Sequence, residues 1–333
     1  MPPTPTALAV TDLANRAERE IKFFEGIKSF SALPRIVDWW SARYLRPRIM
    51  QIFETAGPYA FYATPIEHKA ARSPKVRAIS LGSGDGEVEV LVARYLINRN
   101  VTNFTIMGIE LSAALVARAT ARAEREGVSS NVTFLVGDLN EYDGQSEFDF
   151  VVANQILHHV VNLEALIEKI HEVLVPDGML MTRDMIGRNG HQAWPEAKQM
   201  IDQLWADMPS RYKYHQVYKR NFPSFPNFHF ASTSFEGIRS QDILPLLIQK
   251  FSFQRFYAFG GVVERFVNRG FGSNYDPDNE DDRSFVVCLQ TINDMALDAG
   301  AIKPTQIAAW LVKEPCQTRQ WLGRSPEFCV RTL

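Results

Sequence analysis

Cysteine is scarce in this chain: Cys288, Cys316 and Cys329 are the whole complement, and no two of them stand at CxxC spacing. An odd, sparse set argues against a disulfide framework and against a structural zinc site, and it fits a reducing compartment. Long apolar runs are missing as well. No stretch approaches the roughly 18–20 residues that a membrane span requires. The opening MPPTPTALAV has neither the basic start nor the apolar core of a secretory signal. The expectation is a cytoplasmic protein with no membrane partner. An excess of charge of one sign is also lacking. The formal net charge is -2, so no global field draws the chain to nucleic acid or anionic lipid, and no nucleic-acid partner is expected. The local cluster Arg43, Arg46 and Arg48 reads as a solvated helix face.

The residues that are present suit a well-buried core. Hydrophobic residues make up 46% and charged residues 22% of 333 positions, enough for one large domain with additions. Residues 1–72 read as an N-terminal helical extension that starts with a loose tail over about 1–10. Within it Ile21, Phe24, Ile27 and Phe30, then Val37, Trp40 and Tyr44, recur at helical spacing. Pro34, Pro47, Pro58 and Pro65 divide the stretch into short helices. Trp39, Trp40 and Tyr44 are candidates for a homodimer interface. From 73 to 290 the pattern alternates. Strands are predicted at 76–82, 104–110, 132–138, 148–154 and 179–186, with helices at 87–99, 112–127 and 163–175 between them. Ser112 is the expected N-cap of the second helix and Gly127 its stop. After an interruption over 187–238 come a helix at 240–251 and strands at 253–260 and 284–290. Such alternation predicts a parallel sheet covered on both faces. Residues 291–333 read as a C-terminal helical appendage.

Four features carry chemistry, each placed just after a strand. LGSGDG sets Gly82, Gly84 and Gly86 between a strand and a helix, where the backbone must turn tightly and approach a ligand without a Cβ in the way. Glu110 ends the second strand; its carboxylate suits two vicinal ribose hydroxyls, or else it caps the helix that follows. Asp138 ends the third strand, where it suits an adenine amine or a local loop turn. Asn154 and Gln155 end the fourth strand and run into His158 and His159; open α/β sheets bind ligands at this carboxyl end.

With these residues in this order the chain resembles class I S-adenosylmethionine-dependent methyltransferases of the small-molecule type, over about 76–186 and more loosely over 240–290. The resemblance implies a Rossmann-like α/β fold with a seven-stranded sheet whose last strand, SFVVCLQ at 284–290, inserts antiparallel. It implies S-adenosylmethionine as cofactor. Gly82, Gly84 and Gly86 would face its methionine end, Glu110 with Leu111 its ribose, Asp138 with Leu139 its adenine, and Asn154 with Gln155 its sulfonium. The LHHV stretch and the PDGML turn also match. The family has an acidic residue two positions before the first glycine; Ser80 stands there and remains a candidate cofactor contact. The N-terminal helices would close over the cofactor, with Tyr59 or Tyr62 near its methionine end.

Methyl transfer from a sulfonium is an in-line displacement, and a base is required only where the acceptor must lose a proton. The candidates are His158, His159 and His191. The aromatic insert 187–238 is the expected lid and acceptor pocket, with Trp194, Tyr214, His215 and His229 as acceptor contacts. The expected partner is a small, partly apolar methyl acceptor. The acidic run Asp276 to Asp282 lacks the EF-hand register, and no metal is expected. Two alternatives stay open: an NAD(P)-dependent oxidoreductase, which favours GxGxxG over the GxGxG found here, and a non-catalytic module that binds S-adenosylmethionine.

Overall fold

The computed structural model describes residues 10–27, 32–57 and 59–331. The expected tail, apart from Val10, lies outside the described residues, as do Phe30 and Pro58. The N-terminal part holds α1 (Val10–Glu25), α2 (Arg35–Trp40), a short π-helical turn (Ser41–Leu45), α3 (Arg46–Phe53) and α4 (Ala60–Ala70). The alternating part begins with β1 (Val76–Leu81), α5 (Glu87–Ile97), β2 (Phe104–Glu110), α6 (Ala113–Arg125), β3 (Val132–Val136) and β4 (Phe148–Asn154). It continues with α7 (Leu163–Val173) and β5 (Leu174–Met185). The insert holds α8 (Pro195–Asp207) and a small hairpin of β6 (Tyr214–His215) and β7 (Arg220–Asn221). Then come α9 (Ser240–Lys250), β8 (Ser252–Phe259), α10 (Val263–Phe266), α11 (Glu280–Asp298), β9 (Gln306–Val312), β10 (Arg319–Gln320) and α12 (Pro326–Cys329).

One sheet runs in the order β10-β8-β9-β5-β4-β1-β2-β3. Seven strands of five residues or more match the expected count, and the two-residue β10 extends one edge. β1 pairs in parallel with β2 on one side and β4 on the other. The chain therefore reverses its direction of winding between β1 and β4, and the carboxyl ends of those two strands flank the crevice where open α/β sheets take ligands. Side chains alternate along the strands between two cores. Val76, Ala78, Ala308 and Trp310 face one, shared with α2, α3, α4 and α11; Ile79, Leu81, Ile307 and Leu311 face the other, shared with α7 and α9.

Two expectations are corrected. SFVVCLQ is helix, the middle of α11, and the antiparallel strand that closes the sheet is β9, QIAAWLV, which pairs antiparallel with both β5 and β8. The segment 291–333 is accordingly no helical appendage, because it contains a central strand of the sheet, and the α/β unit does not end at 290. The physical reason lies at the start of α11. Asn279 accepts the Asp282 amide and caps the helix, and Glu280, Asp281 and Asp282 fill its first turn, where carboxylates meet the positive end of the helix dipole. The acidic run is this helix start.

Residues 32–70 belong to the same core rather than lying outside it. Trp40 is buried and its indole donates to Gln290 at 2.6 Å, so it is an anchor of α2 on α11 and not part of an exposed surface. Arg48 makes a two-point, partly buried contact with Asp294, whereas Arg46 pairs with Asp38 on the exposed face expected for this cluster. Ser112 caps α6 through the Leu115 amide, as expected.

Candidate functional site

The glycine loop at the end of β1 is held in left-handed backbone at Gly82 (φ 65°), Gly84 (φ 56°) and Gly86 (φ 72°). A Cβ on Gly82 would stand 2.4 Å from the Ile156 side chain, and one on Gly86 would stand 2.6 Å from Phe134; one on Gly84 would meet nothing within 4 Å. The outer glycines are thus demanded by packing, and the middle one faces open space, as a backbone that must admit a ligand does. Glu110 fixes the loop from β2. Its two oxygens accept the Gly84 and Ser112 amides, each at 3.0 Å, so the helix-capping alternative is realised in part. Asp138 turns its own loop by accepting the Asn140 amide at 2.8 Å, and Asn140 in turn accepts the Val161 amide after β4. Leu111 is exposed and Leu139 packs at the edge of the α7 core. Asn154 accepts the Tyr62 hydroxyl at 2.8 Å, which brings α4 to the end of β4; Tyr59 is exposed. Gln155 sits in left-handed backbone (φ 55°), an unusual conformation for a residue with a Cβ.

Ser80 explains the missing acidic residue. Its hydroxyl donates to Glu89 on α5 at 2.5 Å, so a carboxylate stands at the end of β1 after all, delivered from the helix that follows the loop. Glu89 is buried, and its second oxygen has no hydrogen-bond partner. Burial pushes its pKa up to about 7, the Ser80 hydroxyl offsetting part of this and the charges of Asp85 and Glu110 adding to it. The Ser83 hydroxyl in the loop is likewise buried without a partner. Two unsatisfied polar groups beside a glycine loop fit a ligand with hydrogen-bonding groups and positive charge. Sequence reasoning missed Glu89, although a signal exists: Glu89, Ala93 and Leu96 fall on one buried face of α5, so the glutamate occupies an apolar position.

The second half of the site is a histidine cluster beyond the ends of β4 and β5. Asp184, fully buried on β5, organises it. One oxygen accepts the Ile156 and Leu157 amides at 2.9 and 2.8 Å; the other accepts the Met185 amide at 2.7 Å and Nδ1 of His158 at 2.6 Å. Nε2 of His158 points toward Glu236 at 3.6 Å. Glu236 accepts Nε2 of His191 at 2.8 Å and lies 3.4 Å from Nε2 of His159. Burial disfavours the charged ring of His158, but Asp184 and Glu236 outweigh it and raise its pKa to about 10. Burial favours protonation of Glu236, yet the hydrogen bonds from His158 and His191 hold its pKa well below the usual range. Burial lowers the pKa of His191, with the Glu236 hydrogen bond opposing it, and so favours the neutral form of that ring. His191 too has left-handed backbone (φ 56°). The cluster thus joins the three expected histidines with two carboxylates that the sequence did not single out, from three separate stretches at 158–159, 184–191 and 236.

α1 spans both halves. Glu20 accepts Nδ1 of His159 at 2.6 Å and the Phe235 amide at 2.9 Å, Arg16 donates to the Ala231 carbonyl, and Glu25 accepts the Ser112 hydroxyl at 2.7 Å beside Glu110.

The four expected acceptor contacts do not converge. His229 packs beside the cluster, its ring against Gly190. Trp194 stacks under Arg331 and lines a separate cavity of about 130 Å³ with Pro245 and Lys303. His215 is buried among Tyr218, Phe222, Phe228 and Phe271, and its Nδ1 accepts the Val217 and Tyr218 amides. Tyr214 lies on the hairpin, where its carbonyl accepts from Asn274. Most rings of the insert join it to the segment after β8: Trp205 meets Phe225, Phe266 and Phe271, and Tyr212 stacks on Tyr275.

A methyltransferase-domain family model matches residues 72–250. The sterol 24-C-methyltransferases erg6 of Aspergillus fumigatus and ERG6B of Gibberella zeae are each 26% identical over 115 residues, 34% of this chain and 29% of theirs. The chain thus spans less than a third of the length of the curated relatives it matches. Among solved structures, the [4+2]-cyclase SpnF aligns over 94% of this chain and 99% of its own at 15% identity and a TM-score of 0.45. A SAM-dependent methyltransferase from Geobacter sulfurreducens, in complex with S-adenosyl-L-homocysteine, aligns over 85% of this chain and 99% of its own at 16% identity and a TM-score of 0.41. More than half of the chain falls within the family model, and the chain belongs to the methyltransferase-domain family.

Proposed function

We propose that this enzyme transfers the methyl group to a small, partly apolar acceptor by in-line displacement, with the cofactor over the glycine loop and the acceptor against the histidine cluster. S-adenosylmethionine supplies the reactive methyl group; the chain's own residues orient the two partners and exclude water. Gly82, Gly84, Gly86 and Glu89 serve the methionine end, Ser80 by holding Glu89. Glu110 with Leu111 serves the ribose, Asp138 with Leu139 the adenine, and Asn154 with Gln155 the neighbourhood of the sulfonium. The observation that carries this reading is the pair of unsatisfied buried groups at the loop, Ser83 and Glu89.

His158, His159 and His191 with Glu236 form the polar end of the acceptor site. Of these, His158 is held protonated by its two carboxylates and is a poor proton acceptor, whereas burial lowers the pKa of His191 and favours the neutral form that can accept a proton. α1 and the insert 187–238 cover the acceptor, with His229 at the near wall. Trp194, Tyr214 and His215 support the insert.

Isothermal titration of the protein with S-adenosylmethionine, and with NAD and NADP as controls, tests the cofactor. Heat with S-adenosylmethionine alone is expected; binding of a nicotinamide cofactor instead would overturn the reading in favour of the oxidoreductase. With a turned-over acceptor in hand, His191→Ala is expected to lower kcat by roughly 10²- to 10⁴-fold and to leave cofactor affinity unchanged. Unchanged turnover removes His191 from the acceptor site.

A further inference from the structure

The geometry points to a divalent-metal site at the histidine cluster, with Nε2 of His158, Nε2 of His191 and a carboxylate oxygen of Glu236 as ligands to one first-row transition ion. The three donor atoms lie within 4.8 Å of one another. Two of the pairwise separations are shorter still: 2.8 Å between His191 and Glu236, and 3.6 Å between His158 and Glu236. Ligands at about 2.0–2.1 Å from a tetrahedral ion stand roughly 3.3 Å apart, so the His191–Glu236 pair must open slightly and His158 must close on both for all three to reach coordination distance.

The chemistry of the donors is specific. Two imidazoles, each giving up its Nε2 proton as the ion binds, and one carboxylate form the set that zinc, iron(II) and cobalt(II) take, with positions left for water or substrate. It is a poor set for magnesium or calcium, which prefer all-oxygen shells. The surroundings are those of a ligating histidine as well. His158 directs Nε2 at Glu236 because its Nδ1 is bound to Asp184, and a carboxylate behind a histidine fixes the ring and strengthens it as a ligand. His191 is locked by a left-handed backbone and by the close approach of Gly237, where a Cβ would lie 2.9 Å from the ring. Arg265 anchors the same residue by donating to the His191 carbonyl at 2.6 Å. Glu236 is the most exposed of the three, its side chain 34% accessible against 3% and 12% for the rings, so the open coordination positions fall on its side.

The expectation of no metal came from the cysteines and the acidic run, and neither is part of this cluster. The three ligands come from the turn after β4, the turn after β5 and the end of the insert, and no spacing motif announces them. Ion binding stands apart from methyl transfer. In one respect it touches the acceptor site, and there it rests on that reading: an ion held by His158 and His191 takes His191 away as a proton acceptor.

The test is titration of the metal-stripped protein with Co²⁺ and Zn²⁺, without cofactor or acceptor, so that its outcome is independent of any methyl-transfer assay. One equivalent of Co²⁺ is expected to bind with visible d–d absorption, and Zn²⁺ to displace it. His191→Ala and Glu236→Gln are expected to weaken binding by roughly 100-fold or more, and Asp184→Asn by about 10–100-fold. His215→Ala, on a ring outside the cluster, leaves it unchanged. Thermal unfolding of each variant establishes that it is folded, and the conservative Glu236→Gln carries the test should His191→Ala not fold. Absence of stoichiometric binding by the wild type, or equal binding by His191→Ala, Glu236→Gln and wild type, overturns the inference.

Discussion

Asp184→Ala is expected to lose about 3–5 kcal/mol of unfolding free energy, which urea denaturation followed by circular dichroism would measure. Asp184 is fully buried and accepts four hydrogen bonds, from the amides of Ile156, Leu157 and Met185 and from the ring of His158. Removing it strands three amides and a charged imidazole in a place water does not reach. The histidine part of the loss depends on pH. The pKa of His158 is raised to about 10 in the folded protein, above an unfolded value of about 6.5. Its stabilisation is therefore complete below pH about 6.5 and is lost as the pH rises toward 10. The gap between wild type and variant should narrow from pH 6 to pH 10. A constant gap would mean that the ion pair contributes nothing and that the amides carry the whole effect.

Glu89→Gln is expected to move stability and cofactor affinity in opposite directions. The folded pKa of Glu89, about 7, lies above its usual 4.5. The free protein is thus most comfortable with this group protonated, and the associated stability is full below pH about 4.5 and lost as the pH rises through 7. At pH 8 the wild type carries a buried, half-satisfied carboxylate, and a neutral isostere should raise the unfolding free energy by up to about 3 kcal/mol. With the cofactor placed as proposed, the same negative charge would attract its sulfonium and ammonium groups. Affinity for S-adenosylmethionine should therefore fall roughly 10- to 100-fold in the variant. Wild-type affinity should weaken as the pH drops below 7, and the variant should lose that dependence. A variant that binds as tightly as the wild type at pH 8 would remove Glu89 from the cofactor site.

The parts of this molecule that could be read from sequence are those whose signal is local. Each strand from β1 to β5, the glycine loop and the Ser112 cap are fixed by residues within a few positions of one another. Glu110, Asp138 and Asn154 follow from their places at strand ends. The histidines were visible as residue types, but what makes them a cluster was not: Asp184 sits inside a strand run, and Glu236 lies in an aromatic insert with no period. The misread C-terminal region has a different cause. SFVVCLQ is short, apolar and β-branched, and such a run does not distinguish a strand from a buried helix segment. The deciding signal stands just before it, in Asn279 and three acidic residues, whose spacing marks a helix start and not a metal loop. QIAAWLV, with two alanines at its centre, has a weak strand preference, and its identity is set by the two strands that receive it.

The position of β9 has a consequence for how the chain is made. This strand comes late in the sequence yet lies inside the sheet, hydrogen-bonded to β5 on one side and β8 on the other. During synthesis, β5 and β8 are complete long before residues 306–312 leave the ribosome. Until then each presents an unpaired edge rich in apolar side chains, the kind of edge that recruits other chains. The nascent protein must wait, with the sheet open beyond β5, for a segment that arrives more than a hundred residues after that strand. A truncation anywhere before Gln306 leaves that wait permanent, and its product should accumulate in inclusion bodies rather than as a smaller folded enzyme.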